Sequence, residues 1–296
     1  MERKKIYCDS NFLLDFYNDR HTDTKRIVAW EQYLDLFVKD SVLYLNIEEG
    51  DFFSNDNDFF NKLKKLKKEG IIKIKFNCDY KKLIEDKDKK HLIYFLYNKP
   101  IEELINLEDK YGLMFISKDN LYKKSDYIFS FDSFRKIDNT SGWKVLEQFK
   151  QPCNYMLLID NFLFKSEEDV TENLKSLFDA LLPNKIMKNF PITIRTQLAN
   201  KYKCWSNKSK EDLENKVEEI IKQVRQTDLI KVTIENVKYS EHDRNLITNY
   251  FWFSIGYGFV LSYSEKAKTT DVHIHCITHP NVYDRMIDFE NKGTLK

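Results

Sequence analysis

Apolar and polar positions along the 296-residue chain fall into two recurrent rhythms. Short runs that are mostly apolar read as strands: KIYC near the start, then SVLYLNI, IIKIKFN and GLMFIS. Between them, FFNKLKKLKKEG sets Phe59, Phe60, Leu63 and Leu66 on one helical face and stops at Gly70. PIEELINLEDKYG opens with a proline and closes at Gly112, the asymmetry expected of a helix. The rhythm then repeats. CNYMLLID reads as a strand ending in Asp160, EEDVTENLKSLFDALL as a helix stopped by Pro183, and PITIRT as a strand. KEDLENKVEEIIKQVRQ is a long amphipathic helix and IKVTIENV another strand. The aromatic SEHDRNLITNYFWFSIGYGF, the alternating DVHIHCITH and a last helix near NVYDRMIDFEN complete the chain. Strands alternating with helices predict an α/β protein.

Length and composition sharpen this. The chain of 296 residues exceeds the roughly 250 at which single cores stop growing, so two consecutive α/β domains are expected. The first, residues 1–140, is read as a parallel sheet, and the second, 141–296, as a mixed one with a more antiparallel end. The seam is placed in the polar stretch Arg135–Pro152, which holds a Thr-Ser-Gly turn signal and a proline. Apolar residues at 42% and aromatics at 15% suffice to fill such cores. No segment nears the roughly 20 apolar residues of a membrane span, and MERKK leads into a strand rather than a leader. A cytoplasmic protein without integral membrane association is the expectation. Five cysteines stand singly with no CxxC pair, which favours buried thiols over a disulfide framework or a zinc site. With 48 basic and 47 acidic residues, any attraction to nucleic acid must come from local patches.

Chemistry in the first half centres on acids after strands. Asp9 follows the first strand and Asp119 follows GLMFIS. In α/β sheets, ligands bind beyond the carboxyl ends of the strands, and carboxylates there can hold Mg²⁺ or Mn²⁺. The competing reading is that both acids merely form turns. IYCDSNFLLDFY and LEDKYGLMFISKDNLY resemble the opening and the later helix-strand-Asp element of PIN-domain nucleases, over roughly residues 5 to 130. That resemblance implies cleavage of single-stranded RNA by a carboxylate cluster around Mg²⁺ or Mn²⁺. It carries over to Asp9 and Asp119 as metal ligands. The acid after the second strand is one of Glu48, Glu49 and Asp51, with Glu49 favoured; the acid before the last strand is Glu102 or Glu103, with Glu103 favoured. Lys62 and Lys65, on the outer face of the lysine-rich helix, offer a track for RNA phosphates or simply a solvated face.

In the second half the spacing around His242 is distinctive. One residue separates it from Arg244, four more precede Asn249, and six more precede Gly256, with Gly258 beyond. Phospholipase-D-type enzymes carry His, Lys and Asp at these intervals before a glycine-rich turn, so Arg and Asn here replace Lys and Asp. Arg can still bind phosphate bidentately, whereas Asn cannot carry the carboxylate's charge. Residues 150 to 290 resemble the phospholipase-D-like domain at the C-terminus of MIT-domain proteins, through MLLIDNFLF, LFDALLP and EHDRNLITNYFWFSIGYGF. The resemblance implies a binding or dimerising domain, with His242, Arg244 and Asn249 at a phosphate or ligand site. The alternatives are a homodimeric phosphodiesterase using His242, and a strand pair held together by His242 and Arg244. His273, His275 and His279 read as ordinary strand and turn histidines. Together the halves lead to the expectation of a metal-dependent ribonuclease joined to a sensing or dimerising domain. Such a pairing suits a toxin or antiviral effector by analogy of fold.

Overall fold

In the computed structural model, residues 4–15, 27–28, 32–33, 41–86, 90–97, 99–128, 133–138, 141–164, 167–198, 208–237, 244–256, 259, 269–279 and 281–291 are described. They form two units. The first comprises Met1–Phe131 with Cys276–Arg285, the second Asp132–His275 with Met286–Lys296.

The first unit runs β1 (Lys4–Cys8), α1 (Ser10–Leu14), β2 (Ser41–Leu45), α2 (Glu49–Ser54), α3 (Asp58–Lys68), β3 (Ile72–Lys75), α4 (Tyr80–Ile84), β4 (Ile93–Phe95), α5 (Ile101–Tyr111), β5 (Met114–Ile116) and α6 (Leu121–Ile128). Its five strands pair in the order β3-β2-β1-β4-β5, all parallel. The chain therefore winds outward from β1 through β2 to β3, then returns to the other side of β1 for β4 and β5. That reversal makes the gap between β1 and β4 a topological switch point. Four of the strands and helices α3 and α5 follow the apolar pattern. Phe59, Phe60, Leu63 and Leu66 are buried, and Asn57 caps α3 by accepting from the Phe59 N–H at 2.8 Å. Helix α5 follows Pro100 and ends at Gly112, whose φ of 61° suits glycine. Strand β4 goes unread in the sequence. It is three residues long and buried throughout, so HLIYFLYN shows neither alternation nor helical period. Tyr7, Tyr44, Tyr94 and Phe115 pack in a buried cluster with Ile84 and Leu104. A separate set of rings joins Phe12, Tyr33 and Phe95, with Tyr33 and Phe95 4.4 Å apart.

The second unit holds β6 (Ser133–Ile137), a 3₁₀ segment (Gly142–Phe149), β7 (Met156–Ile159), α7 (Glu167–Leu181), β8 (Phe190–Thr196), α8 (Lys210–Val224), β9 (Ile230–Asn236), β10 (Arg244–Ile247), β11 (Phe251–Ile255) and β12 (Thr270–Cys276). Helix α9 spans Val282–Asn291. The seven strands pair in the order β6-β12-β11-β10-β7-β8-β9. β7, β8 and β9 are parallel, while β10 runs antiparallel to both β7 and β11, and β6 to β12. Both units are thus α/β, the first with a parallel sheet and the second with a mixed one, as the sequence predicts.

The stretch read as a seam is instead built into the second unit. Residues Ser133–Ile137 pair with β12. Trp143, Leu146 and Phe149 recur every third residue, the spacing that aligns side chains along a 3₁₀ helix, and all three are buried. Phe149 meets Phe251 and Phe253 at 5.9 and 6.3 Å. A period of three among polar residues is easily mistaken for a linker.

Two devices close off backbone groups. On edge strand β9, the N–H groups of Val232 and Ile234 donate to Glu218 and Glu214 of α8 at 3.0 and 2.7 Å, which blocks that edge against further pairing. The buried Arg195 donates to the carbonyls of Phe289 and Glu290 and so caps the last turn of α9, while its Nε pairs with Glu235 at 2.7 Å. Among the described residues, no helix is long and apolar enough to cross a membrane.

Candidate functional site

Asp9 lies immediately past the carboxyl end of β1, at the switch point. Its backbone N–H donates to Phe95 O at 2.9 Å, so β4 fixes its position. A turn-forming aspartate would cap the helix that follows, but the Asp9 side chain makes no cap bond to α1. Its carboxylate points instead to three neutral donors. Oδ1 accepts from the Tyr7 hydroxyl at 2.7 Å and from Asn46 Nδ2 at 3.2 Å, and Oδ2 accepts from the Tyr97 N–H at 2.7 Å. Asn46 is itself oriented by the Ser10 N–H, which donates to its Oδ1 at 2.7 Å. Burial, and next the Asp9 charge, push the Tyr7 hydroxyl far above the ordinary tyrosine range, so it remains a proton donor. Among the described residues, no lysine or arginine forms an ion pair with Asp9.

The neighbouring acids are treated differently. Glu103 is bound by Lys99, and that hydrogen bond is the main reason the Lys99 pKa is raised, with Glu103, Tyr80 and Asp9 adding Coulombic support against desolvation. Glu49 is bound by Lys67 at 3.1 Å, and Glu48 accepts from Asn77 at 2.8 Å. Asp15, past α1, accepts from the Tyr97 hydroxyl at 2.8 Å and from Lys118 Nζ at 2.9 Å. Asp51 and Glu102 are exposed, as is Asp119, which follows β5. The candidate acids Asp9, Glu49, Glu103 and Asp119 therefore follow β1, β2, β4 and β5 in turn, on the carboxyl side of the sheet. Among the described residues, no three of His, Cys, Asp or Glu stand close enough to hold a metal ion together.

The donor set defines what kind of ion fits. A carboxylate offers about four lone-pair directions, and three of those at Asp9 are taken. One remains, so Asp9 can give a cation one oxygen while the protein keeps it oriented. Mg²⁺ is commonly bound through one or two carboxylates and retains several waters. Asp9, helped by one further acid, suits that mode; among the described residues a closed cage of acids does not form.

In the second unit, His242 and Gly258 lie outside the described residues. Arg244 opens β10. Its Nη1 donates to Gly256 O at 3.1 Å, its Nε lies 3.7 Å from Asp160 Oδ1, and its guanidinium sits 5.5 Å from the Phe162 ring centre. Asp160 is buried after β7 and accepts the N–H groups of Phe162 and Phe259 at 2.8 and 3.1 Å. Asn249, fully buried past the far end of β10, exchanges hydrogen bonds with Asn154: it accepts from the Asn154 N–H at 2.8 Å and donates to Asn154 Oδ1 at 2.9 Å. Five residues of extended chain span roughly 16 Å, so Arg244 and Asn249 are held at opposite ends of the strand and engage different partners.

Sequence reading finds Asp9 but misses Tyr7, Asn46, Tyr97, Asp15 and Lys118. Asn46, Tyr97 and Lys118 each come one or two residues after a strand, a positional signal that only the correct strand list reveals. No protein-family model matches the chain, and no curated protein matches it.

Proposed function

We propose that the first unit is a divalent-metal-dependent nuclease acting on single-stranded RNA, with Asp9 as the anchoring ligand and Asp119 as the second acid. One observation carries this reading. A half-buried carboxylate at the switch point is oriented by three neutral donors and has no ion-pair partner among the described residues, whereas Asp15, Glu49, Glu103 and Glu108 each have a lysine. An oriented carboxylate whose charge is left for an outside cation is what a metal ligand requires. β4 alone separates β1 from β5, so the axes leading to Asp9 and Asp119 lie roughly 10 Å apart. Two aspartate side chains and one ion can bridge that distance.

A bound Mg²⁺ or Mn²⁺ would supply an activated water and neutralise charge at phosphorus. The chain's own contribution is positional. Tyr7, Asn46 and the Tyr97 N–H hold Asp9, while Lys99 and Lys118 are paired with Glu103 and Asp15 and so leave those two acids neutralised.

The test is cleavage of an end-labelled single-stranded RNA by the full chain, in Mn²⁺ and in EDTA. Cutting is expected in Mn²⁺ only. Asp9→Asn should lower it about a hundredfold or more, and Tyr7→Phe, which removes one orienting donor, about 10- to 100-fold. Cutting that persists in EDTA or survives Asp9→Asn would overturn the reading, and so would the absence of any cutting.

A further inference from the structure

A nucleic-acid strand brought to Asp9 carries a negative charge at every phosphate, and the acids at this end of the sheet repel it. The attraction that offsets this must come from cations not already claimed by an acid. Lys67, Lys99, Lys118 and Lys124 are each paired, with Glu49, Glu103, Asp15 and Glu108. Lys73 and Lys75, on the edge strand β3, are placed differently. Both are exposed, and among the described residues neither forms an ion pair.

Register sets Lys75 beside the proposed centre. It ends β3 across from Tyr44 of β2, which in turn lies across from Tyr7 of β1, so the three side chains form a row on one face of the sheet. The Tyr7 hydroxyl is the donor that holds Asp9. β3 and β1 flank β2, which puts their axes roughly 10 Å apart. Lys75 Nζ sits 5.2 Å from the centre of the Tyr44 ring, so the ammonium leans inward over β2 instead of out from the edge. Tyr44 is itself buried, which fixes the ring. An aromatic face positions a cation without supplying a counter-charge, and the charge of Lys75 stays available to an anion. Lys73 stands on the same face one repeat earlier, across from Val42.

We infer that Lys75, with Lys73 behind it, holds backbone phosphates of the RNA strand that is cut at Asp9. The inference rests on the nuclease reading and extends it from the metal to the path of the substrate. Lysines on an edge strand can also serve only to discourage pairing with another chain. That role predicts self-association when the charge is removed, and no loss of affinity for RNA.

The test titrates the full chain, in EDTA, into a fluorescein-labelled oligouridylate at several salt concentrations and reads anisotropy. Each phosphate contact to a single strand contributes about 0.7 to the slope of log K against log salt. Lys75→Gln should therefore weaken binding about 8-fold near 50 mM salt and about 3-fold near 200 mM, flattening the slope by about 0.7. Adding Lys73→Gln should flatten it by about as much again. Lys75→Arg keeps the charge and should restore both affinity and slope. Lys62→Gln, on the outer face of α3, should change neither. The inference is overturned if the wild-type chain does not bind, if Lys75→Gln binds normally, or if its only effect is self-association. An equal loss in Lys62→Gln also overturns it, because the attraction is then diffuse. The two readings fail separately. Cleavage in Mn²⁺ with binding indifferent to Lys75 overturns this inference alone, whereas Lys75-dependent binding without cleavage overturns the nuclease reading and leaves the phosphate contact in place.

Discussion

Asp160→Asn is the substitution that most sharply separates a structural role from a ligand-binding role for the arginine of the second unit. The change is nearly isosteric, but it removes a charge on which three groups depend. In the native chain both carboxylate oxygens are used, by the N–H groups of Phe162 and Phe259, while the Arg244 guanidinium stands 3.7 Å away. An asparagine oxygen can satisfy one of the two N–H groups; the other then faces an NH₂. Leaving one buried donor unmet costs about 1–3 kcal/mol, and converting a charge-assisted bond to a neutral one costs roughly another 1 kcal/mol. Arg244 also loses its nearest counter-charge, so the total is about 3 kcal/mol.

Urea unfolding followed by tryptophan fluorescence measures this, since Trp143 and Trp252 are both buried in the second unit. With an m-value of about 1–3 kcal/mol/M, the midpoint of that unit's transition should fall by roughly 1–3 M. A shift below about 0.3 M would refute the reasoning. Arg244→Gln provides the companion result. It loses the Gly256 carbonyl and the Phe162 ring, and should cost about 1–2 kcal/mol. If it is neutral, the guanidinium is not part of the scaffold and is available to a ligand.

Other outcomes follow from the same geometry. Gly50, inside α2, has an ordinary φ and nothing within 4 Å of where a Cβ would stand, so Gly50→Ala should raise stability by about 0.5–1 kcal/mol in thermal unfolding. Ser209 and Asp212 form a reciprocal capping box at the start of α8, and Ser209→Ala should cost about 1 kcal/mol by the same measurement. Burial raises the hydroxyl pKa of Tyr7, Tyr33, Tyr44 and Tyr94 above the ordinary tyrosine value of 10.0. Above that pH the unfolded chain binds fewer protons than the folded one, so this stability is complete below pH 10 and declines as pH rises further. Absorbance of tyrosinate from these four should therefore lag behind that of the exposed tyrosines as pH rises; a full titration of all 17 tyrosines in the folded state near pH 10 would contradict the burial.

What the sequence made legible was local. Helix faces such as Phe59, Phe60, Leu63 and Leu66, and the proline and glycine that bound α5, are set by residues a few positions apart, so the pattern carries them. The class of each sheet was legible too, through the alternation of strands with helices. The partners of Asp9 were not. Tyr97 reaches it from 88 residues away, and Asn46 from 37, through strand order alone. The same limit applies in the second unit. The interval from Arg244 to Asn249 matches a familiar spacing, yet spacing does not say that an extended strand separates the two or that Asp160 and Asn154 are their partners. The buried 3₁₀ segment was missed because its apolar period of three is neither helical nor alternating.

Mn²⁺ binding to the full chain, followed by electron paramagnetic resonance, is the most direct measure of whether the lone oriented carboxylate after β1 is a metal ligand. One ion per chain should bind, and Asp9→Asn should abolish it while Glu49→Gln leaves it in place. No bound ion, or binding that Asp9→Asn does not alter, would contradict the account.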